Sequence, residues 1–222
     1  MRAFLFLAVT VLAAPIARAQ DPVQVDSKHY KVLLENDQVR VLRIHYNPGE
    51  KSVMHEHPAA VVVFLNSSKA KFTFPDGTST TEGGGKAGAV RFTDAGKHIP
   101  QDIGTTPIEA VLVELKAKSG SSSAVSLDPV KVDSARHKVE LENDRVRVLR
   151  VKFKPHDKTK EHEHPNAVAI HLTDVKAKFT LPDGKTREGG GKRGEVIWAV
   201  GEKHSVSNLS ARPAEIILVE LK

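Results

Sequence analysis

The feature that most restricts how this chain can fold is that it repeats itself. Val25-Asp26-Ser27 returns as Val132-Asp133-Ser134, a shift of 107 residues, and in that register Leu34 to Arg43 matches Leu141 to Arg150 at all but one position. His55-Glu56-His57-Pro58 meets His162-Glu163-His164-Pro165. Beyond the Asp76-Gly77 and Asp183-Gly184 turns the shift falls to 106, so one hairpin loop is a residue shorter. Glu82-Gly83-Gly84-Gly85-Lys86 then meets Glu188-Gly189-Gly190-Gly191-Lys192, His98 meets His204, and both copies close on Val-Glu-Leu-Lys. A long period with only two copies is a domain duplication, not a solenoid. The fold must therefore be one that roughly 100 residues can complete, enough for a real core.

Within each copy the pattern is strand after short strand. Residues 59 to 65 are a mostly β-branched apolar run, residues 69 to 74 alternate charge with aromatic, and residues 111 to 115 form another strand, with Asp-Gly, Pro-Gly and triple-Gly punctuation between them. No window carries a helical stripe of more than about two turns. This predicts an all-β sandwich or small barrel, twice over. Domain boundaries are expected at 25–117 and 130–222, joined by a linker over 118–129 that includes Ser119-Gly120-Ser121-Ser122-Ser123.

Residues 1–19 read as a secretory signal peptide: a charged start, an apolar stretch from Ala3 to Ala14, and Ala17-Arg18-Ala19 as the cleavage site. A secreted or periplasmic location is expected, without a membrane anchor. The chain has no cysteine, which excludes disulfides and a lipid-modified cysteine. It carries 33 basic and 27 acidic residues, mixed in sign, with aromatics at only 5%. That is a solubility pattern; a nucleic-acid site would need a basic block or an aromatic platform. The expected partner is a small-molecule substrate, with the protein a monomer or homodimer.

The histidines carry the chemistry. His55 and His57 lie two apart on a strand and leave it on the same face, as do His162 and His164. A third, His98 or His204, follows some 40 residues later. Three converging imidazoles supply half of an octahedral shell or three corners of a tetrahedron. Both copies retain all three positions, which favours a metal site over chance surface histidines.

On these residues the sequence resembles the cupins, and with two copies a bicupin. Five residues separate Gly49 from His55-x-His57, as the first cupin motif asks; the second copy has His156 in the glycine place. The second motif is matched by Gly201, His204 and Asn208, with Ala199 for its proline, while the first copy has Ala95, His98 and Asp102. The resemblance covers essentially the whole chain after residue 19, and implies two tandem double-stranded β-helix (jelly-roll) barrels. It implies metal ligation by His55, His57 and His98 in one barrel and by His162, His164 and His204 in the other. The family's usual carboxylate ligand is missing: Val61 and Val62, or Val168 and Ala169, fill its place. A three-histidine set resembles the cupin dioxygenases of thiols and diketones. It implies a divalent metal, Fe(II) ahead of Mn, Ni, Zn or Cu, and an oxygenase acting on a small chelating substrate. A metal or small-ligand binding protein without turnover, and a metal-dependent isomerase or lyase, stay open.

Other residues are weighed against that frame. His171 should share the inward face with Ala169 and is a candidate base or extra ligand; Phe64 is its counterpart. Glu56 and Glu163 should point away from the ligands. The triple glycines lack the Ser/Thr and helix of a phosphate loop and read as turns. His29, His45 and His137 do not match across the copies and read as surface; Trp198 and Phe92 read as core. The second barrel is expected to be the roomier and more reactive, because Ala169 stands where the first has Val62.

Overall fold

A computed structural model describes residues 20–116 and 125–222; the expected signal peptide, residues 1–19, and part of the expected linker, residues 117–124, lie outside them. The first repeat runs α1 (Pro22–Val25), β1 (Tyr30–Glu35), β2 (Val39–Tyr46), β3 (His55–His57), β4 (Ala60–Phe64), β5 (Ala70–Thr73), β6 (Ser79–Thr80), β7 (Val90–Thr93), β8 (Gly96–Asp102) and β9 (Ile108–Leu115). The second runs α2 (Pro129–Val132), β10 (His137–Glu142), β11 (Val146–Phe153), β12 (His162–His164), β13 (Ala167–His171), β14 (Val175–Thr180), β15 (Thr186–Gly191), β16 (Val196–Ala199), β17 (Glu202–Asn208) and β18 (Ala214–Leu221). Both helices are single turns started by Asp21 or Asp128, whose carboxylates accept backbone N–H groups, with proline in the first helical position. The all-β expectation holds. No helix among the described residues is long and apolar enough to cross a membrane.

Each repeat closes two antiparallel sheets on one another. In the first these are a five-stranded sheet, β1-β2-β9-β4-β7, and a four-stranded sheet, β3-β8-β5-β6; the second repeats the order as β10-β11-β18-β13-β16 and β12-β17-β14-β15. This is the jelly roll. The strands alternate, and the phase of that alternation sets everything else. In β2, β4 and β9, Val39, Val41, Val61, Val63, Val111 and Val113 leave one face, while Leu42, Ala60, Ala110 and Leu112 enter the barrel.

The outward valines are not surface. They pack against Val146, Val148, Val168, Ile170, Ile217 and Val219 of the second repeat in one shared core. Each five-stranded sheet is therefore buried on both faces, which is why its strands read as near-continuous apolar runs. Reciprocal polar contacts rim this core: Arg43 donates to the Gly194 carbonyl, and its counterpart Arg150 donates to the Gly88 carbonyl at 2.6 Å. Matching residues meeting matching residues is what a near-twofold relation requires.

Two readings change. Gly84 and Gly190 are not turn residues; each lies flat against a neighbouring strand, where a Cβ would strike the carbonyl oxygen of Ser68 or Val175. The polar contacts of the second repeat also start earlier than residue 130, since Ser126 bonds the Glu163 carboxylate and Leu127 accepts the Glu163 N–H. Asp21-Pro22-Val23 and Asp128-Pro129-Val130 extend the match to this point.

The two repeats solve two local problems unequally. Gly49 takes φ +84° without cost, whereas His156 in the same place is the one non-glycine residue with positive φ among those described, at 55°. Conversely, Asn208 donates to the Lys154 and Arg212 carbonyls at 3.0 and 2.8 Å, whereas Asp102 in the same place leaves a buried Oδ2 without a partner. Exchanging each for the other repeat's residue is expected to stabilise the fold. His156→Gly should raise the unfolding free energy by about 1 kcal/mol, and Asp102→Asn by about 1–3 kcal/mol by pairing the amide with carbonyls. Denaturant unfolding curves check both, and no change in midpoint for either variant would refute its account.

Candidate metal centres

The third histidine reaches the pair by strand register. β3 runs antiparallel to β8 with His55 opposite His98, and β12 runs antiparallel to β17 with His162 opposite His204. The strand β3 buries His55 and His57 and turns Glu56 to the other face, where Lys97 pairs with it. Ring centroids lie 4.9 Å (His55–His57), 5.1 Å (His55–His98) and 5.6 Å (His57–His98) apart, against 4.8, 4.9 and 5.7 Å for the second trio. The two sites are copies in geometry as well as in sequence.

The second barrel has one imidazole more. His137 is buried, 1% exposed, and its ring lies 4.7 Å from that of His162. In the first barrel the ligating atoms of His55, His57 and His98 all lie within 4.8 Å of one another; in the second the same holds for His137, His162 and His164, with His204 alongside. The surface reading of His137 is thus wrong. So is that of His29, which is 6% exposed, stacked on Tyr46 and bonded to Asp26. His45 does lie at the surface, paired with Glu109. Position 137 corresponds to Tyr30, whose hydroxyl donates to His55 Nε2 at 3.0 Å and accepts from Tyr46 at 2.9 Å. One barrel closes its histidine cluster with a phenol, the other with an imidazole.

The far nitrogen of each ring but that of His98 is held. His55 Nδ1 faces the Val53 carbonyl at 2.9 Å, His162 Nδ1 the Lys160 carbonyl at 2.7 Å, and His137 Nδ1 the Asp133 carbonyl at 3.2 Å. His57 and His164 instead point Nδ1 at a carboxylate, Glu114 at 2.7 Å and Glu220 at 2.6 Å, and His204 uses Glu202 at 3.0 Å. Such partners place the proton on Nδ1 and leave Nε2 as the ligating atom, the arrangement that metal-ligating imidazoles use; on His55 that atom accepts from Tyr30. Glu114 and Glu220 are the functional residues that sequence reasoning missed. Each sits on the barrel-facing side of an otherwise apolar strand, is almost wholly buried, and is also gripped by an arginine. Arg40 is held in turn by Asp21, and Arg147 by Asp128. The signal was the glutamate inside the closing Val-Glu-Leu-Lys of both copies.

Burial pushes the imidazoles toward the neutral form. It lowers His98 and His164 to about 3, and His55, His137 and His204 to about 4, helped by the neighbouring rings. Burial alone would raise Glu114, but hydrogen bonds from His57 and Arg40 hold it below the ordinary carboxyl value. At Glu220 burial wins and lifts the carboxyl to about 7. Yet its two oxygens accept from His164 and Arg147, as a carboxylate's would, and the ionised form is the one this geometry satisfies. In the second barrel neutral imidazoles with free Nε2 atoms, backed by a buried carboxylate, fit a divalent metal; in the first an ion would have to replace the Tyr30 hydrogen bond on His55 Nε2.

Neither a family model nor a curated relative matches the sequence. Solved structures do. AerE from Microcystis aeruginosa superposes with a TM-score of 0.62 at 14% identity, over 87% of this chain and 97% of that one. The oxalate decarboxylase of Bacillus subtilis, described for its Mn(II) centres, gives 0.59 at 13% identity over 87% and 75%. A cupin 2 conserved barrel domain protein from Leptotrichia buccalis gives 0.51 at 11% over 87% and 88%. The chain has the bicupin fold.

Each barrel of this bicupin holds a cavity beside its histidines, about 470 Å³ in the second and about 310 Å³ in the first. The second is the roomier, as the Ala169 and Val62 difference predicts. His171 lines its wall, 3% exposed, with Nδ1 facing the Glu195 carbonyl at 3.1 Å, but lies outside the histidine cluster. Trp198 and Phe92 are half-buried, lining the cavities while packing on the shared core.

The lowered histidines make metal-free stability depend on pH with a definite sign. Between about 4 and 6.5 the unfolded chain binds protons that the folded chain refuses, so stability present above 6.5 is lost as pH falls through that window. The melting temperature of chelator-treated protein should fall steadily from pH 7 to pH 4.5, and saturating metal should deepen the fall by raising the neutral end. A flat profile would contradict the neutral, buried assignment.

Proposed function

We propose that this protein is a metal-dependent bicupin enzyme of the oxygenase kind, exported from the cytoplasm, with one divalent ion per barrel and the reaction in the second. The observation that supports it best is the donor set of the second barrel: Nδ1 of His137, His162, His164 and His204 is tied to a carbonyl or carboxylate, leaving Nε2 for a ligand. A bound ion would supply Lewis acidity and open positions for a chelating substrate and dioxygen. Fe(II) suits such chemistry; the Mn(II) centres of oxalate decarboxylase keep Mn(II) in view.

The chain's own residues have distinct tasks. Glu114 and Glu220 orient His57 and His164 and make them stronger donors. His137 closes the second cluster with another neutral nitrogen. Burial lowers His171, which keeps its imidazole neutral, and Nε2 is left as a proton acceptor on the cavity wall. The first barrel offers no equivalent base, since Phe64 takes that place. Its Tyr46–Tyr30–His55 chain of hydrogen bonds favours a second reading for that barrel alone, a binding site without turnover.

Metal analysis after reconstitution with Fe(II) or Mn(II) is expected to give about one ion per barrel. The double change His162→Ala, His164→Ala should remove one of the two. Glu220→Gln should weaken the second site by about 10–100-fold while leaving the first unchanged. Oxygen uptake with an Fe(II)-loaded sample and a panel of catechols and 1,3-diketones tests turnover. If uptake survives His204→Ala and is abolished by His98→Ala, the reacting barrel is the first.

A further inference from the structure

The cavity walls of the two barrels differ more than their histidines do, and the difference is concentrated at the mouth. Strand β16 forms one side of the second cavity, with Ala169 opposite Ile197 and Val168 opposite Trp198. Strand β7 does the same in the first, with Val62 opposite Arg91. In the 106-residue register Ile197 stands where the first barrel has Arg91, and Val200 where it has Asp94. Ile197 is 40% exposed and Val200 68% exposed, two of the few large apolar side chains facing water among the described residues. The lip of one barrel is charged; the lip of the other is apolar.

Charge inside the second cavity is already spent. Arg187 lies over the Phe179 ring, 4.5 Å from its centroid, and is paired with Glu202, which also holds His204. Asn208 is committed to backbone carbonyls. What remains free is the histidine cluster at one end, His171 on the wall, and apolar surface from there to the lip. A small dianion would find no unpaired cation beyond an ion on the histidines, and would leave most of about 470 Å³ unfilled.

We infer that the second barrel takes a largely apolar molecule with one chelating head, such as an enediolate or catecholate, whose tail runs out past Ile197 and Val200. The head sits at the histidines; the tail covers the exposed apolar lip and gains affinity by removing that surface from water. This names a substrate class for the site of the previous section and rests on that reading for the head alone. Ile197 and Val200 are then the specificity-determining positions, and the first barrel, with Arg91 and Asp94 there, does not accept the same tail.

Trp198 makes the test direct, because it is the only tryptophan in the chain and adjoins Ile197 on β16. Zn(II)-loaded protein, chosen so that no turnover occurs, is titrated with catechol, 4-methylcatechol, 4-butylcatechol and oxalate, followed by Trp198 fluorescence and by calorimetry. Affinity is expected to rise about threefold to fourfold per added CH₂, with oxalate weakest. The double variant Ile197→Arg, Val200→Asp should flatten that rise, its zinc content and melting temperature serving as the control on folding. Affinity independent of tail length, oxalate binding tightest, or no binding by any catechol overturns the inference. A tail-length rise that is the same in chelator-treated protein upholds the apolar channel and instead sinks the metal-anchored head, so the two failures are told apart.

Discussion

Everything in this protein hangs on one packing contact, the face-to-face burial of the two five-stranded sheets. Val39, Val41, Val61, Val63, Val111 and Val113 meet Val146, Val148, Val168, Ile170, Ile217 and Val219, all of them fully buried. Because a strand alternates sides with every residue, fixing one face against the partner barrel fixes which residues enter the barrel. A slip of one residue would carry Glu114 and Arg40 into the shared apolar core and turn valines toward the histidines. The metal sites are thus specified by a contact that none of their ligands makes. The contact also ties the barrels together: Arg43 and Arg150 cap carbonyls of the opposite repeat at its rim.

The same alternation explains how a buried carboxylate can be tolerated. Glu114 and Glu220 would be costly alone in an apolar strand. Each is given a histidine N–H and an arginine, and the arginine is given a second carboxylate from the residue that starts the single-turn helix, Asp21 or Asp128. Four groups from distant parts of each repeat are satisfied only together. Removing one partner would leave the others buried and unpaired, which costs more than the pair contributes. An ion on neutral imidazoles keeps its full charge in a buried site, and this carboxylate sits one ring away to balance it. The usual glutamate ligand is absent, but negative charge next to the site is not.

Much of this was legible in the sequence, and the reasons for the rest are physical. The duplication, the β class, the His-x-His pairs and the third histidine depend on short-range pattern and on comparing the copies. Glu114 and Glu220 were visible as identical residues in both closing strands, but only a sheet phase decides whether a glutamate beside Val113 faces water. The same phase separates Val62 and Ala169, which face the cavities, from Val61 and Val168, which face the shared core. His137 was set aside because its counterpart is Tyr30. Agreement between copies finds what both barrels need, and it passes over what only one of them uses. The glycine runs were misread because the close approach of Gly84 to Ser68 and of Gly190 to Val175 is a contact between segments, not a property of the turn-like tripeptide.

The way the copies differ is itself orderly. Residues that hold the His-x-His pairs are identical in kind: His, Glu, Arg and Asp recur at each matching place, whereas Glu202, which holds His204, has Gly96 as its counterpart. Residues of the shared core change only between aliphatics, as Val111 to Ile217 or Val63 to Ile170, because volume there is constrained from both sides. The positions that vary are those that face a cavity rather than the shared core. There the substitutions change chemistry outright: Tyr30 to His137, Phe64 to His171, Val62 to Ala169, Arg91 to Ile197, Asp94 to Val200. A jelly roll locked to its twin on one face has only its inner face left to vary, and every change made there alters the cavity without disturbing the sheet. The two barrels can therefore keep the same three matching histidines while their cavities differ, and the inner walls carry that difference.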